Sequence, residues 1–578
     1  FPNKNHILRS GGTGSIILPS QLNGVMIIPQ KSTYELQDKK FVYVVGNDSK
    51  VKNTQIEVFN IDDGKSYVVT SGLNAGDKIV YEGAGTLREG VEIKPITPEE
   101  AAALITDGMN VGVSGFTPSG YPKKTTIALA KAIKEGKRCR INIWSGASVG
   151  PEIEEELAAV GAIKGRMPYY AASNKSMKKG INEGKIEYVD QHLSHFGQQV
   201  DYGFFGNVDV AIIEATAITA EGNIILGPGV GNAPIFVKHA KKIIIEVNTS
   251  IPLNLEGMHD IYIPAIPPNR TEIPIYHAGD RIGKPYVECG IDRIDCIVES
   301  DILDHVRDLT APDAASIKIA ENLVEFLEYE QKMGRLPEKM LPLQSGVGSI
   351  ANAVLLGLAK SRFENLEMYS EILQDSVFRL IKLGKIAKAS GCAFTPSPSV
   401  WEMYKEDPDL YHKSIVLRPL DISNHPEVIR RLGVIAMNTP LEFDIYGQAN
   451  STHVMGCTMM NGIGGSGDYM RNGFLTIFST PSTAKCGSIS SVVPMVTHAD
   501  HTEHDTMVFI TEQGVADIRG LSPVKRAKAI INNCAHPDFR PQLLEYLRFA
   551  QQKNAHMPID LAHCFDMQKK FYETGTML

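Results

Sequence analysis

The apolar pattern of this chain changes character at Pro95, and no single fold accommodates both sides of the change. Before it, the β-rich runs GSIIL, GVMIIP, KFVYVVGND, QIEVFN, KSYVVTSGL and KIVYEG are separated by Gly, Asn and Asp clusters, the pattern of an all-β piece. After it, helical patterns alternate with apolar strands. The first helix is TPEEAAALITDG, in which Thr97 or the residue before it caps and Pro98 occupies the first turn. A boundary at 95 to 97 follows, with a small β-rich piece over 1–96. The rest of the 578 residues exceeds a single core. Two α/β domains, 97–308 and 309–578, are expected.

The runs INIW (141–144), VDVAII (208–213), KIIIEVN (242–248), SIVL (414–417) and MVFIT (507–511) lack period-two alternation, as strands buried on both faces of mostly parallel sheets do. Helices over 316–334 and 522–533 separate some of them. Ligands of open α/β sheets bind beyond the carboxyl ends of the strands, so the residues that follow these runs are where chemistry is sought.

Composition narrows the function. A net charge of -8 argues against a nucleic-acid partner held through phosphates. There is no run of eighteen apolar residues, so no membrane-spanning helix is expected. The eight cysteines show no CxxC spacing and all follow residue 97, which fits reduced thiols in a cytoplasmic enzyme. The chain opens Phe-Pro-Asn-Lys, without Met, and so reads as a fragment or an excised piece.

Three glycine-rich segments stand at expected turns. QSGVGSIANAVLLGLAK (344–360) opens a helix with Ile350, Val354, Leu355 and Leu358 on one face, and its first amides suit an anion or oxyanion; a tight turn alone explains it as well. NGIGGSGDYMRNG (461–473) carries Gly462, Gly464, Gly465 and Gly467, more than a turn requires, with Asp468 read otherwise as a helix cap. SGFTPSGYPK (114–123) is a similar turn in the first α/β domain. Paired loops from two domains suggest a site between them.

Three acids follow apolar runs: Glu214 after VDVAII, Glu371 after LEMYS at a strand-to-helix junction, and Glu512 after MVFIT. Taken singly, each is read more simply as structural, with Glu371 and Asp375 a solvated i,i+4 pair of one helix and Glu512 a second-turn helix charge stabilised by the dipole. His498, Asp500, His501, Glu503, His504 and Asp505 crowd one loop, but no zinc-ligand spacing is present and no metal is expected.

Read together, SGFTPSGYPK, IEATAITAEG, IIIEVN, LEGMHDI, MLPLQSGVGSIANAVL, ENLEMYSEILQDSVF, DISNHPEVIRRLG, IYGQANSTHVMG, NGIGGSGDY, STAKCGSIS and FITEQGVADIRGLSPVKRA resemble the acetyl-CoA hydrolase and transferase family from Pro98 to the terminal GTML, most closely its succinyl-CoA:acetate CoA-transferases. The resemblance implies two α/β domains of CoA-transferase type. It also implies that Glu371, in the YSE-x-x-x-D segment with Asp375, is the nucleophile. Val347 and Gly465 then offer amides to the thioester oxygen, and Asn424 and Glu512 lie beside the nucleophile. CoA contacts are implied at Gly346, Val347, Gly348, Ser349, Ile350, Asn461, Gly465 and Lys485. Acyl-CoA and short carboxylic acids are the implied partners, with no cofactor beyond CoA itself, no membrane and no nucleic acid; a cytoplasmic homodimer is expected. Gln448 and Ala449 in GQANSTH depart from the GNVNSTH of many relatives, which bears on acid selectivity.

Residues 1–96 resemble the end of a periplasmic adaptor (membrane fusion protein) of an efflux pump, in LRSGGTGSIILP, VMIIPQKSTYELQDKKFVYVV and VTSGLNAGDKIVYEGAGTLREGVEIKP. The join reads as an artefact of assembly at least as readily as a working fusion. Within enzymes the alternative to a transferase is an acyl-CoA hydrolase, and outside them an adaptor fragment.

Overall fold

The computed structural model describes residues 24–47, 50–61, 65–81, 96–306 and 311–578, and the chain divides into two compact units after Lys94. The first is an antiparallel sheet of β1 (Met26–Pro29), β2 (Tyr34–Leu36), β3 (Lys39–Val45), β4 (Val51–Asn60) and β5 (Ser66–Ser71), in the order β1-β5-β4-β3-β2. Alternate residues Ile28, Val42, Ile56, Tyr67 and Val69 form its small core. The expected strand GSIIL lies outside the described residues. KIVYEG does not form a ladder: only Ile79 bridges, to Val44, and residues 82 and 83 lie outside the description.

The second unit holds two eight-stranded sheets. Helix α1 (Pro98–Ala103) starts it, and Thr97 and Glu100 close a reciprocal capping box around its first turn. The first sheet uses β6 (Asn110–Val113), β7 (Ile141–Trp144), β8 (Ile163–Met167), β9 (Glu187–Tyr188), β10 (Val210–Ile218), β11 (Ile224–Leu226), β12 (Lys242–Asn248) and β13 (Cys296–Ser300). Seven strands run parallel in the order β13-β12-β10-β6-β7-β8-β9, and β11 folds back antiparallel on β10. Helix α2 (Lys124–Lys134) follows β6, and α3 (Leu193–Asp201) follows β9.

The second sheet follows α4 (Ala314–Lys332). Its strands are β14 (Leu343–Ser345), β15 (Leu366–Tyr369), β17 (Ile386–Gly391), β19 (Ile415–Leu417), β20 (Ile435–Asn438), β21 (Leu475–Ser479), β22 (Val508–Thr511) and β23 (Gly514–Asp517). Their order is β19-β17-β15-β14-β20-β21-β22-β23, parallel except for the β22–β23 hairpin. The strands INIW, KIIIEVN, SIVL and MVFIT were all legible as continuous apolar runs because helices cover both faces. One core runs through both sheets, from Phe236 and Ile245 to Leu343, Met368 and Phe394.

The two sheets meet along backbone. Val230 N–H donates to the Cys392 carbonyl at 3.0 Å, Phe394 N–H to that of Pro228 at 3.1 Å and Leu420 N–H to that of Gly231 at 3.1 Å. Ser119 Oγ, from the first glycine-rich turn, donates to the Phe394 carbonyl at 2.9 Å. The segment 391–394, which follows β17, is therefore clamped between the halves of the unit.

Candidate active site

Glu371 does not sit at a strand-to-helix junction. Strand β15 stops at Tyr369, and the chain steps sideways into a second short strand, β16 (Ile372–Gln374), before helix α6 (Asp375–Lys382) begins. The neighbouring strand makes the same step, from β17 into β18 (Ala393–Thr395), and β16 pairs with β18 in parallel. Glu371 occupies the step, with its own carbonyl accepting from Cys392 N–H at 2.7 Å and Ala393 N–H at 3.2 Å. Its backbone is thus locked by the clamped 391–394 segment, while its side chain, partly buried, leaves the sheet edge.

Two donors hold the carboxylate. Asn424 closes the short helix α7 (Leu420–Ser423), and its Nδ2 donates to Glu371 Oε2 at 3.0 Å. The Gly465 amide is the second donor. A Cβ at Gly465 would lie 1.6 Å from Oε2, so only glycine lets the loop approach this closely. Burial pushes the Glu371 carboxyl up to about 7; Asn424 opposes that rise, the nearby Asp468 charge adds to it, and the Gly465 amide opposes it.

The glycine loop leads into helix α8 (Ser466–Asn472) and rests on the first half of the unit. Asp190 accepts from Ile463 N–H at 2.9 Å, and a Cβ at Gly462 would meet Asp190, Tyr188 and Tyr169 within 2.7 Å. Asp468 is not a helix cap: it is the third residue of α8, and its carboxylate accepts from Ser194 in α3 and from Asn424. The paired-loop expectation therefore takes a specific form, with the NGIGGSGD loop and residues 169 and 188–194 of the other half packed together around Glu371.

The turn 346–350 lies next to Glu371 because β14 and β15 are adjacent strands. Ser370 Oγ donates to the Ser345 carbonyl at 3.2 Å, Gln374 Nε2 to that of Gly346 at 2.9 Å, and Gly348 N–H to Gln374 Oε1 at 3.4 Å. Gly348 has φ 108° and precedes helix α5 (Ser349–Lys360), whose Ile350, Val354, Leu355 and Leu358 are buried as one apolar side. Val347 is 51% exposed in this turn, open to a ligand.

The other expected residues have contacts of their own. Glu512 lies in the β22–β23 turn, four strands along from β15, where Ser482 N–H donates to it at 2.8 Å and Gln513 Nε2 at 3.0 Å. Burial works to raise its pKa, but the Ser482 and Gln513 donors outweigh burial and hold it below the usual range. Lys485 is exposed on another turn, its ammonium 4.9 Å from the Phe571 ring centre. Asn461 donates to the carbonyls of Ser451 and Gly462, each at 3.0 Å. Glu214 is no strand-end acid: it is mid-β10, fully buried, and paired with Lys123 and, through it, Asp304. Sequence reading gave no role to Gln374, Tyr169, Asp190 or Ser194; only the order of the turns hinted at them.

Comparison with known proteins decides the family. The family model for the acetyl-CoA hydrolase/transferase N-terminal domain matches residues 84–303, and that for the C-terminal domain matches 402–547. The chain is 51% identical to the succinyl-CoA:acetate CoA-transferase of Clostridium kluyveri, over 84% of this chain and 90% of that protein. It is 46% identical to the propanoyl-CoA:succinate CoA transferase of Escherichia coli, covering 84% and 98%, and 45% identical to the acetyl-CoA hydrolase of Schizosaccharomyces pombe, covering 83% and 95%. The chain belongs to the acetyl-CoA hydrolase/transferase family.

The fold agrees with that membership. RipA of Yersinia pestis superposes with a TM-score of 0.61 at 22% identity, over 80% of this chain and 97% of that one; a 4-hydroxybutyrate CoA-transferase from Porphyromonas gingivalis gives 0.54 at 22%, over 78% and 97%. Residues 24–86 match a different model, the C-terminal permuted SH3 domain of RND membrane fusion proteins. Within the acetyl-CoA hydrolase/transferase unit, the departure Gln448 binds Asp444 through its backbone and side-chain nitrogens, at 3.0 and 3.1 Å. The histidine-rich loop is likewise engaged: Asp500 accepts from Ser451 and Thr452, and His501, buried by Phe478, meets Ser466. Among the described residues no group of three His, Cys, Asp or Glu side chains could hold a metal, no helix is long and apolar enough to cross a membrane, and the eight thiols are free.

Proposed function

We propose that this chain transfers CoA between short carboxylic acids, of the succinyl-CoA with acetate or propionate type, by a ping-pong mechanism through a glutamyl-CoA thioester on Glu371. The observation that carries this reading is the Glu371 carboxylate, held beyond the end of β15 by the Asn424 amide and the Gly465 N–H, at the turn whose amides begin α5. The two transferase relatives at 51% and 46% identity support it.

The chemistry follows from the residue types. The Glu371 carboxylate attacks the acyl carbonyl of the thioester, CoA thiolate leaves, and an acyl-glutamyl anhydride remains. The thiolate then attacks the glutamyl carbonyl, releasing the free acid and leaving the glutamyl-CoA thioester. An incoming carboxylate reverses both steps. The Gly465 and Val347 backbone N–H groups are the donors for the oxyanions that form. The apolar cluster of Phe116, Ala147, Leu193, Ile372, Cys392, Ala393 and Leu420, with Tyr169 packed against it, helps to keep water from the intermediates.

A second reading, acyl-CoA hydrolysis, is favoured by the hydrolase relative at 45% identity. Thiol release from succinyl-CoA, measured with and without acetate, separates the two: a transferase releases CoA slowly until the acceptor is added, whereas equal rates establish the hydrolase. Peptide mapping after incubation with acyl-CoA alone is expected to place CoA on Glu371, and an adduct elsewhere sinks the mechanism. The reading extends to a cytoplasmic homodimer, checked by light scattering and cell fractionation. Residues 1–95 are a passenger in it, so their deletion is expected to leave transfer intact. Loss of soluble, active protein on that deletion contradicts this.

A further inference from the structure

We propose that Asp468 is a positioning residue for the nucleophile: its carboxylate fixes which end of the Asn424 amide faces Glu371, and its charge makes the free Glu371 carboxylate more reactive. The inference rests on the reading of Glu371 as the nucleophile.

Asp468 is 3% exposed and joins three distant segments. Its Oδ1 accepts from Ser194 Oγ at 2.5 Å, and its Oδ2 accepts from Ser194 N–H at 3.0 Å and from Asn424 Nδ2 at 3.2 Å. The same Nδ2 donates to Glu371 Oε2 at 3.0 Å, and the Asn424 Oδ1 accepts from Ser423 Oγ at 2.9 Å. One NH2 group therefore spans two carboxylates. Flipping the amide would turn its oxygen toward both anions, so Asp468 enforces the orientation that Glu371 needs.

The second effect is electrostatic. Among the described residues no ion pair reaches Glu371, and the charge that raises it is that of Asp468, which shares the Asn424 amide with it. Repulsion between two carboxylates disappears when Glu371 becomes a neutral anhydride or thioester. What disfavours the free carboxylate thus favours bond formation at it, and the energy is recovered in the covalent intermediate.

Other titratable groups around the pair do not take over this part. Burial holds Tyr169, Cys392 and Tyr469 above their ordinary ranges and so neutral, and burial together with Arg471 pushes His192 down to about 4. Arg471, about one turn further along α8, attracts Asp468 but donates to the Asp500 carbonyl at 2.9 Å and lies 3.5 Å from Asp505. Burial, against the Ser194 and Asn424 donors, brings Asp468 to about 6, so it is ionised above neutral pH.

The test is a pH profile of kcat/KM from pH 5 to 9 for wild type, Asp468→Asn and Ser194→Ala, with the Glu371–CoA adduct measured in each by intact mass. Asp468→Asn preserves the shape and an acceptor for Ser194 N–H. It is expected to move the acidic limb down by about 1 pH unit, to lower the adduct fraction at pH 8, and to reduce kcat roughly 10- to 100-fold. Ser194→Ala leaves the charge in place and loosens it: kcat falls while the limb stays or rises. A limb unmoved in Asp468→Asn overturns the proposal, and so does a downward shift in Ser194→Ala, which can be read even if Asp468→Asn fails to fold. Absence of the adduct in wild type removes the Glu371 mechanism and the proposal with it; a wild-type adduct with an unmoved limb removes the proposal alone.

Discussion

Glu154 and Glu371 are two carboxylates drawn out of water in the same unit, and their surroundings differ in kind. Glu154 is fully buried. Its Oε1 meets Arg166 Nη2 at 2.6 Å and accepts from Val149 N–H at 3.2 Å, and its Oε2 accepts from Asn174 Nδ2 at 2.6 Å and Ala171 N–H at 3.1 Å. Arg166 also donates to the Ala147 carbonyl at 2.7 Å, so the pair ties the loop at 147–149 to the loop at 171–174. Glu371 has an amide, one backbone N–H and a second carboxylate for company. A carboxylate given a cation and a full set of donors is scaffold; one left short of both keeps its reactivity.

Four measurements break or sharpen this contrast. The largest effect is expected for Glu371→Gln, which removes the oxygen proposed to attack: turnover of acyl-CoA is expected to fall by several orders of magnitude while the melting temperature holds or rises, because repulsion with Asp468 is gone. Near-normal initial rates in this variant contradict the nucleophile assignment. Next is Arg166→Met, which leaves Glu154 buried without its cation and is expected to cost about 3–5 kcal/mol in denaturant unfolding. A loss under about 1 kcal/mol would mean that the pair is no scaffold.

Gly465→Ala comes third. Its new Cβ would stand 1.6 Å from Glu371 Oε2, so the carboxylate or the loop must move, and kcat is expected to fall about 10²- to 10³-fold with the fold retained. Full activity would show that the loop yields freely. The smallest effect is in the pH dependence of stability. Folded Glu371 and Asp468 titrate at about 7 and about 6, above the ordinary carboxylate values, so the folded chain binds more protons than the unfolded chain between about pH 4 and 7. Their contribution to stability therefore declines as pH rises through that window. The melting temperature of Glu371→Gln minus that of wild type is expected to grow from pH 5 to pH 8, and a flat difference would argue that the pair is unstrained.

Much of the framework was legible in the order of residues. The break at Pro95, the capping Thr97 and the buried strands carry local signals, because a capped turn and a strand covered on both faces are written in neighbouring residues. Glu214 shows the limit: the apolar run VDVAII ends at Ile213, yet β10 continues through EATAI, since the Lys123 ammonium and the Asn248 amide supply the charge and the donor that let a glutamate enter a sheet. Glu371 is singled out by its motif, with a strand-to-helix junction expected there. The intervening β16 exists because residues 372–374 pair with 393–395, which no local pattern announces.

By itself the sequence determined the two unlike units, the family of the larger one, and the glycine-rich turns and acids from which a site is made. Tertiary structure decided which of those acids are neutralised and which are not. Ser194 and Asp468 are 274 positions apart and Asn424 and Glu371 are 53 apart, and whether a carboxylate meets a cation, an amide or another carboxylate depends on groups brought together only when the sheets close on one another. Coulomb and desolvation energies act over a few ångströms of space rather than along the chain, so the chemistry of Glu371 is a property of that packing.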